Sequence, residues 1–203
     1  MPNFIESIKT HARANKRRIV LPEGGDIRTL EAANKILRGD FAELIIIGEK
    51  AKIPQNLDLS KAEIVDISAD PHFDEYADLL CEIRKSKGLS LDEAKQLLQD
   101  PLYYGVMMVK TGRADGMVAG AASATSAVLR PSLQILKTAP GVKLVSSFFL
   151  MVMPDSSKYV FSDCGLCIDP TAEELAEIAI SSAESYKTLV GESRVWLCCR
   201  IQP

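Results

Sequence analysis

The segment Asp115 to Leu136 reads DGMVAGAASATSAVLRPSLQIL and concentrates the residues best suited to chemistry. Gly116 and Gly120 permit close backbone approach, Ser123, Thr125 and Ser126 supply hydroxyls, and Arg130 supplies a cation. A short buried strand over Asp115 to Gly120, a small-residue turn and a helix form the order in which backbone N–H groups can face an anion. Such a set suits a phosphate or an acyl phosphate. The competing reading is a small-residue packing turn with a surface arginine, because the segment is neither a Walker A loop nor a GxGxxG fingerprint. Pro131 follows Arg130, so the helix is expected to kink or restart there and to aim the guanidinium. Cys164 and Cys167 make a CxxC, but His11 and His72 are remote in sequence and neither neighbours another ligand type. No metal site is expected.

Composition narrows the function classes. The chain has 203 residues, 47% of them hydrophobic and 25% charged, which is ordinary for a globular protein and sufficient for one large domain or one domain with part of another. Its formal net charge is −3 and its densest basic run is Lys16, Arg17 and Arg18, so no nucleic-acid partner is expected. The first residues, to Ala14, contain His, Lys and Glu and lack the apolar stretch of a signal peptide. Phe148 to Met153 is far shorter than the roughly 20 apolar residues that cross a bilayer, so no membrane partner is expected and a cytoplasmic location is. Five cysteines in such a chain point to reduced thiols.

The elements that must position these residues alternate between β-branched runs and amphipathic stretches, the pattern of an α/β domain with a mostly parallel sheet. Strands are expected at Arg18 to Leu21 and in AELIIIGE and AEIVDIS. A helix between the first two carries Leu30, Ala33, Ile36 and Leu37, capped by Asp26 and stopped at Gly39. Helices follow from Pro71 to Lys87, from the Ser90/Glu93 capping box, and from Pro101 towards Gly112. Pro140 and Gly141 break the chain, and a domain boundary is expected at about residue 143. Beyond it, a strand from Lys143 to Met153 turns at Pro154 to Ser157 into an antiparallel partner. A helix with a Thr171/Glu174 capping box then runs to Gly191.

The stretches VLPEG, DPLYYGVMMVKTGRADG, ADGMVAGAASATSAVLRPSLQILKTAPG and FSDCGLCIDPTAEELAEIA resemble phosphate acetyltransferase, or phosphotransacetylase, in the family's order and spacing from Arg18 to Arg194. The resemblance implies interconversion of acetyl-CoA plus phosphate with acetyl phosphate plus CoA. It also implies a three-layer α/β fold like that of isocitrate and isopropylmalate dehydrogenases. Two arginines implicated in CoA binding match Arg84 in CEIRKSKG and Arg130 in VLRPSLQ. Arginine's planar fork suits the phosphate oxygens of CoA, although Arg84 also reads as a helix-end cation. Gly120, Ser123 and Thr125 match the region that receives phosphate and acetyl groups. Cys164 matches a thiol-sensitive cleft cysteine, and equally reads as a small buried apolar residue. CoA is a substrate, no cofactor is implied, and the family is commonly homodimeric.

In the family's mechanism a base removes the CoA thiol proton, the thiolate attacks the acetyl carbonyl, and hydrogen-bond donors stabilise the oxyanion while phosphate leaves. The family's catalytic aspartate and serine–arginine pair match nothing before the chain's end, so residues 1–143 are read as a first domain and 144–195 as an incomplete second. Residues 196–203 are expected to arise from a two-nucleotide insertion after the Val195 codon, real or a sequencing error, since its removal restores a strand and a Ser/Thr-rich turn of the family's kind. On that reading Trp196, Cys198 and Cys199 have no selected role. The alternatives are a butyryl-specific or malic-enzyme-fused relative and a non-catalytic chain that binds CoA weakly. A NAD-dependent dehydrogenase fits least, since neither a dinucleotide fingerprint nor an acidic metal cluster is present.

Overall fold

The computed structural model describes residues 4–191, which divide into two compact units, one spanning Ile5–Lys137 and the other made of Phe4 and the residues from Thr138 onward. The readings of Trp196, Cys198, Cys199 and the 196–203 tail lie outside the described residues.

After the N-terminal helix α1 (Phe4–Ala14), the first unit runs β1 (Arg18–Leu21), α2 (Ile27–Gly39), β2 (Glu43–Ile47) and β3 (Glu63–Val65). It continues through α3 (Phe73–Arg84), α4 (Leu91–Leu97), α5 (Pro101–Lys110), β4 (Gly116–Met117) and α6 (Thr125–Ile135). The sheet order is β3-β2-β1-β4 and every pairing is parallel. Because successive strand residues face opposite sides, β1 and β2 each feed two cores. Leu21, Leu44 and Ile46 meet Leu30, Ala33 and Leu37 of α2 on one face. Val20, Ile45, Ile47 and Val65 meet Tyr76 and Leu80 of α3 and Tyr104, Met107 and Met108 of α5 on the other. Burial on both faces explains why LIII in β2 is an unbroken apolar run.

Local chemistry sets most element ends. Asp26 caps α2 by accepting from the Arg28 N–H, and the Ser90/Glu93 capping box opens α4. Gly88, at φ 72°, supplies the left-handed residue after the α3 region, where Lys85–Lys87 tightens into a 3-10 turn. Two readings change. The left-handed stop of α2 is Asp40, at φ 58°, rather than Gly39, and Asp40's carboxylate holds Lys16 at 2.7 Å. The helix α6 passes through Pro131 without restarting: the proline ring is fully buried, so its packing offsets the missing ladder bond.

The unit from Thr138 contains β5 (Phe148–Val152) and β6 (Lys158–Ser162), paired antiparallel, and α7 (Ala172–Val190). Thr171 and Glu174 form the capping box of α7, and Gly191 at φ 78° ends it. The strand expected from Lys143 begins only at Phe148, because the Ser147 N–H is committed to the Asp163 carboxylate. Among the described residues of this unit, Ile178 is the one buried apolar side chain, while Phe149 and its partner Phe161 are 58% and 57% exposed. Among the described residues no helix is long and apolar enough to cross a membrane.

Candidate functional site

In a parallel sheet, ligands favour the carboxyl ends of strands where the winding direction reverses. Here the chain moves from β1 outward to β2 and β3, then returns to place β4 on the other side of β1. The reversal therefore lies between β1 and β4. The segment after β1 holds Pro22, Glu23 and Gly24; the segment after β4 is the small-residue turn leading into α6.

These two segments are fastened to each other. The backbone N–H groups of Gly120 and Ala121 donate to one Glu23 carboxylate oxygen at 2.8 and 2.8 Å. Those of Ala122 and Ser123 donate to the other at 2.9 and 2.8 Å. The turn can present successive N–H groups inward because Gly120 adopts φ 109°, a conformation that disfavours any side chain. Its outer side is held as well: Arg28 donates to the Ala121 carbonyl and also grips Asp26, at 2.6 and 3.0 Å. Desolvation raises the Glu23 pKa, but hydrogen bonds from Ser123, Ala122, Ala121 and Gly120 outweigh it and bring the carboxyl down to about 2. These bonds also limit β4, which ends at Met117 short of the expected Gly120: the Val118 N–H still donates to the Val20 carbonyl at 3.0 Å, but from Gly120 onward the N–H groups turn to Glu23 instead of a strand partner.

Glu23 itself is fixed by its neighbours. Pro22 is fully buried, and the Gly24 N–H donates to the Ile47 carbonyl at 3.2 Å. A Cβ on Gly24 would lie 2.4 Å from that carbonyl oxygen and 2.7 Å from Ile46 Cγ2, so only glycine allows this approach. Sequence reasoning on single segments missed Glu23. Its signal was a carboxylate set between Pro22 and Gly24 directly after a buried parallel strand.

The other residues singled out in the sequence fall into place around α6. Thr125 is its first residue and is exposed; Arg130 is exposed on its second turn. Arg84 is the last residue of α3 and is half-buried. The helices that carry Arg84 and Arg130, α3 and α6, both pack against α5, which carries Tyr103. Burial raises the Tyr103 pKa, and the charges of Arg130 and Arg84 oppose that rise. The Tyr103 hydroxyl is anchored by donating to Gln134 of α6 at 2.9 Å. Among the described residues neither arginine has an ion-pair partner, whereas Arg113 is held by Asp70 and Glu63 at 2.6 and 2.6 Å.

Cys164 lies in the unit from Thr138 onward, apart in that sense from Arg84, Arg130, Gly120, Ser123 and Thr125. It is exposed, with its N–H and Sγ at 3.3 and 3.2 Å from the Ser147 hydroxyl. Asp163 organises this loop by accepting from the N–H groups of Ser147, Gly165, Leu166 and Cys167 and from the Ser147 hydroxyl. Although burial pushes its pKa up, these bonds prevail and hold Asp163 well below the usual carboxylate range. Burial and the adjacent Asp163 charge push the Cys167 thiol up, which favours its protonated form. No group of three or more His, Cys, Asp and Glu among the described residues is arranged to hold a metal ion.

The family of phosphate acetyl/butaryl transferases matches residues 3–200. Phosphate acetyltransferase of Acetivibrio thermocellus is 47% identical over 197 residues, spanning 93% of this chain and 59% of the relative. The phosphate acetyltransferase of Thermoanaerobacterium thermosaccharolyticum is 48% identical over 202 residues, 95% of this chain and 62% of its own. Among solved structures, a phosphotransacetylase from Streptococcus pyogenes aligns with a TM-score of 0.86 at 37% identity, over 92% of this chain and 58% of that one. The chain thus spans about three fifths of the length of these relatives. With its α/β architecture and mostly parallel sheet shared with those structures, and almost its whole length matched, the chain belongs to the phosphate acetyl/butaryl transferase family.

Proposed function

We propose that this chain carries the CoA- and phosphate-binding part of a phosphate acetyltransferase, the enzyme that interconverts acetyl-CoA plus phosphate and acetyl phosphate plus CoA. The observation that carries the reading is the pair Arg84, at the end of α3, and Arg130, on α6: the two helices pack against each other and against α5, and neither arginine has an ion-pair partner among the described residues. Two uncompensated guanidinium groups on packed helices suit a ligand with separated phosphates, and CoA has a 3′-phosphate and a pyrophosphate. Thr125 and the turn from Gly120 to Ser123 border the place for the acyl phosphate. The thiol that attacks the acetyl carbon is CoA's own: a base takes its proton, the new carbon–sulfur bond gives a tetrahedral oxyanion, and the bond to phosphate breaks as that intermediate collapses and inorganic phosphate leaves, with no cofactor required. Residues 1–143 serve as the first α/β domain, 144–195 begin a second, and the whole resembles the isocitrate and isopropylmalate dehydrogenase fold. Cys164 is assigned as the counterpart of the family's thiol-sensitive cysteine. The working enzyme is a cytoplasmic homodimer whose ligands are CoA, acetyl phosphate and inorganic phosphate.

Titration calorimetry with CoA tests this reading. Arg84→Ala and Arg130→Ala should each weaken CoA binding by about tenfold, near 1.4 kcal/mol, and Arg→Lys should recover only part of it. Unchanged affinity in both alanine variants would refute the assignment. Acetyl-CoA formation from acetyl phosphate and CoA, compared with butyryl phosphate, then sets the acyl preference.

A further inference from the structure

The turn from Gly120 to Ser123 has the shape of an anion cradle, yet an acid from its own chain already fills it. Gly120, Ala121, Ala122 and Ser123 direct their N–H groups at the two Glu23 oxygens over 2.8 to 2.9 Å. Arg28 fixes the turn from the opposite side through the Ala121 carbonyl. A phosphate entering this cradle would have to displace a carboxylate that accepts all four of these bonds and is held in place by buried Pro22 and close-packed Gly24.

We propose that Glu23 is a positioning residue: it substitutes for a bound anion in the cradle, sets the turn's shape, and leaves the substrate phosphate to the exposed Thr125 hydroxyl just beyond it. The assignment rests on the functional reading above for the identity of the ligand, but not for the occupancy of the cradle. It reverses the role expected of the backbone. The N–H groups hold the protein's own acid, and the ligand meets a side chain that this acid has placed. Glu23 remains charged throughout the neutral range, since its carboxyl is brought down to about 2. Occupancy of the cradle is therefore constant and does not act as a pH switch.

Two variants and two readouts test it in the 203-residue chain. In Glu23→Gln one acceptor oxygen becomes an NH2 donor facing N–H groups; in Glu23→Ala the cradle is emptied. The first readout is the amide resonances and hydrogen exchange of Gly120 to Ser123. Exchange should speed up at least tenfold in both variants, and formate added to Glu23→Ala should restore the resonances by refilling the cradle. The second is binding of inorganic phosphate by titration. It should weaken at least fivefold in both variants and recover with formate only in Glu23→Ala, while CoA affinity stays within twofold of the parent, showing that the fold survives. Unchanged amide exchange in Glu23→Gln would overturn the proposal. So would phosphate binding as tight or tighter in Glu23→Ala without formate, because that would make the cradle the phosphate site and Glu23 its competitor. If the parent chain binds neither CoA nor phosphate, the functional reading fails and Glu23 has no substrate to position. The amide readout still decides whether it fills the cradle.

Discussion

Glu23 gathers the N–H groups of Gly120, Ala121, Ala122 and Ser123, 97 to 100 residues away in the chain, whereas Asp163 gathers those of Gly165, Leu166 and Cys167, two to four residues ahead. The chemistry is the same in both regions: a carboxylate satisfies an irregular turn that has no ladder partner. Closure differs. Asp163 folds its own neighbours around itself and adds Ser147, 16 residues back, through the pairing of β5 with β6. A short loop costs little entropy to close. Glu23 reaches its donors only because parallel pairing of β1 with β4 has brought the two strand ends together. The first turn is therefore a dependent of the sheet, and the second is nearly self-contained.

The sharpest way to break this contrast is Gly24→Ala. The added Cβ would press on the Ile47 carbonyl oxygen from 2.4 Å, where backbone rather than a pliant side chain must yield. The expected loss is about 3 kcal/mol in chemical denaturation of the first unit, with faster amide exchange at Gly120 to Ser123 as Glu23 is dragged from place. The Asp163 loop should keep its exchange rates. Less than about 1 kcal/mol would mean that the β1–α2 turn is pliable and that Glu23 is not held by its neighbours.

Removing the acids comes next. Glu23→Ala and Asp163→Ala should each cost about 2 kcal/mol, since charge-assisted bonds to several N–H groups are lost while water reaches some of the freed donors. Location separates the two. Loss of Glu23 should be felt at Gly120 to Ser123 and Arg28, and loss of Asp163 at Ser147 and Gly165 to Cys167, as read by amide exchange. Acid offers an independent measure. The Glu23 pKa falls from the ordinary 4.5 to about 2 on folding, so its contribution is complete above pH 4.5 and is lost as pH falls through about 2. Glu23→Gln should therefore show a flatter decline of stability than the parent between those limits. A parallel decline would mean that Glu23 does not accept these bonds as a carboxylate.

What could be read from the sequence follows the same division between local and distant partners. The Ser90/Glu93 and Thr171/Glu174 boxes, the Asp26 cap and the left-handed Gly88 and Gly191 were all legible, because each device is complete within a few residues. So were the strands and the parallel class of the sheet, since β2 carries its two-faced burial as an apolar run. The early end of β4, the late start of β5 and the passage of α6 through Pro131 were not. In the two strands a backbone N–H was committed to a distant carboxylate, and in α6 a buried ring paid for a missing bond. At the candidate site, Gly120, Ser123, Thr125 and Arg130 were legible as residue types gathered in one segment and Arg84 came from motif resemblance, while the bringing together of the helices that carry Arg84 and Arg130 needed the packing of α3, α5 and α6. Glu23, which holds the turn's N–H groups, could be found only by asking where those groups go.

The smallest effects should be the most alike. Ser90 and Thr171 open helices in different units, each with its side chain accepting from the N3 N–H and each with a glutamate reaching back to the cap's own N–H. Ser90→Ala and Thr171→Ala should each cost about 1 kcal/mol, and the two values should agree within about 0.5 kcal/mol, because a cap is worth much the same whatever fold surrounds it. Exchange of the first-turn amides of α4 and α7 provides a local measure of each loss. Equal caps alongside unequal spread from Gly24→Ala would tie the difference between the regions to long-range closure rather than to the strength of their individual bonds. A Thr171→Ala loss several times that of Ser90→Ala would show instead that the unit from Thr138 depends on its helix cap. That outcome would follow where the thin core, with Ile178 alone buried among the unit's described apolar residues, leaves α7 to stand largely on its own propensity.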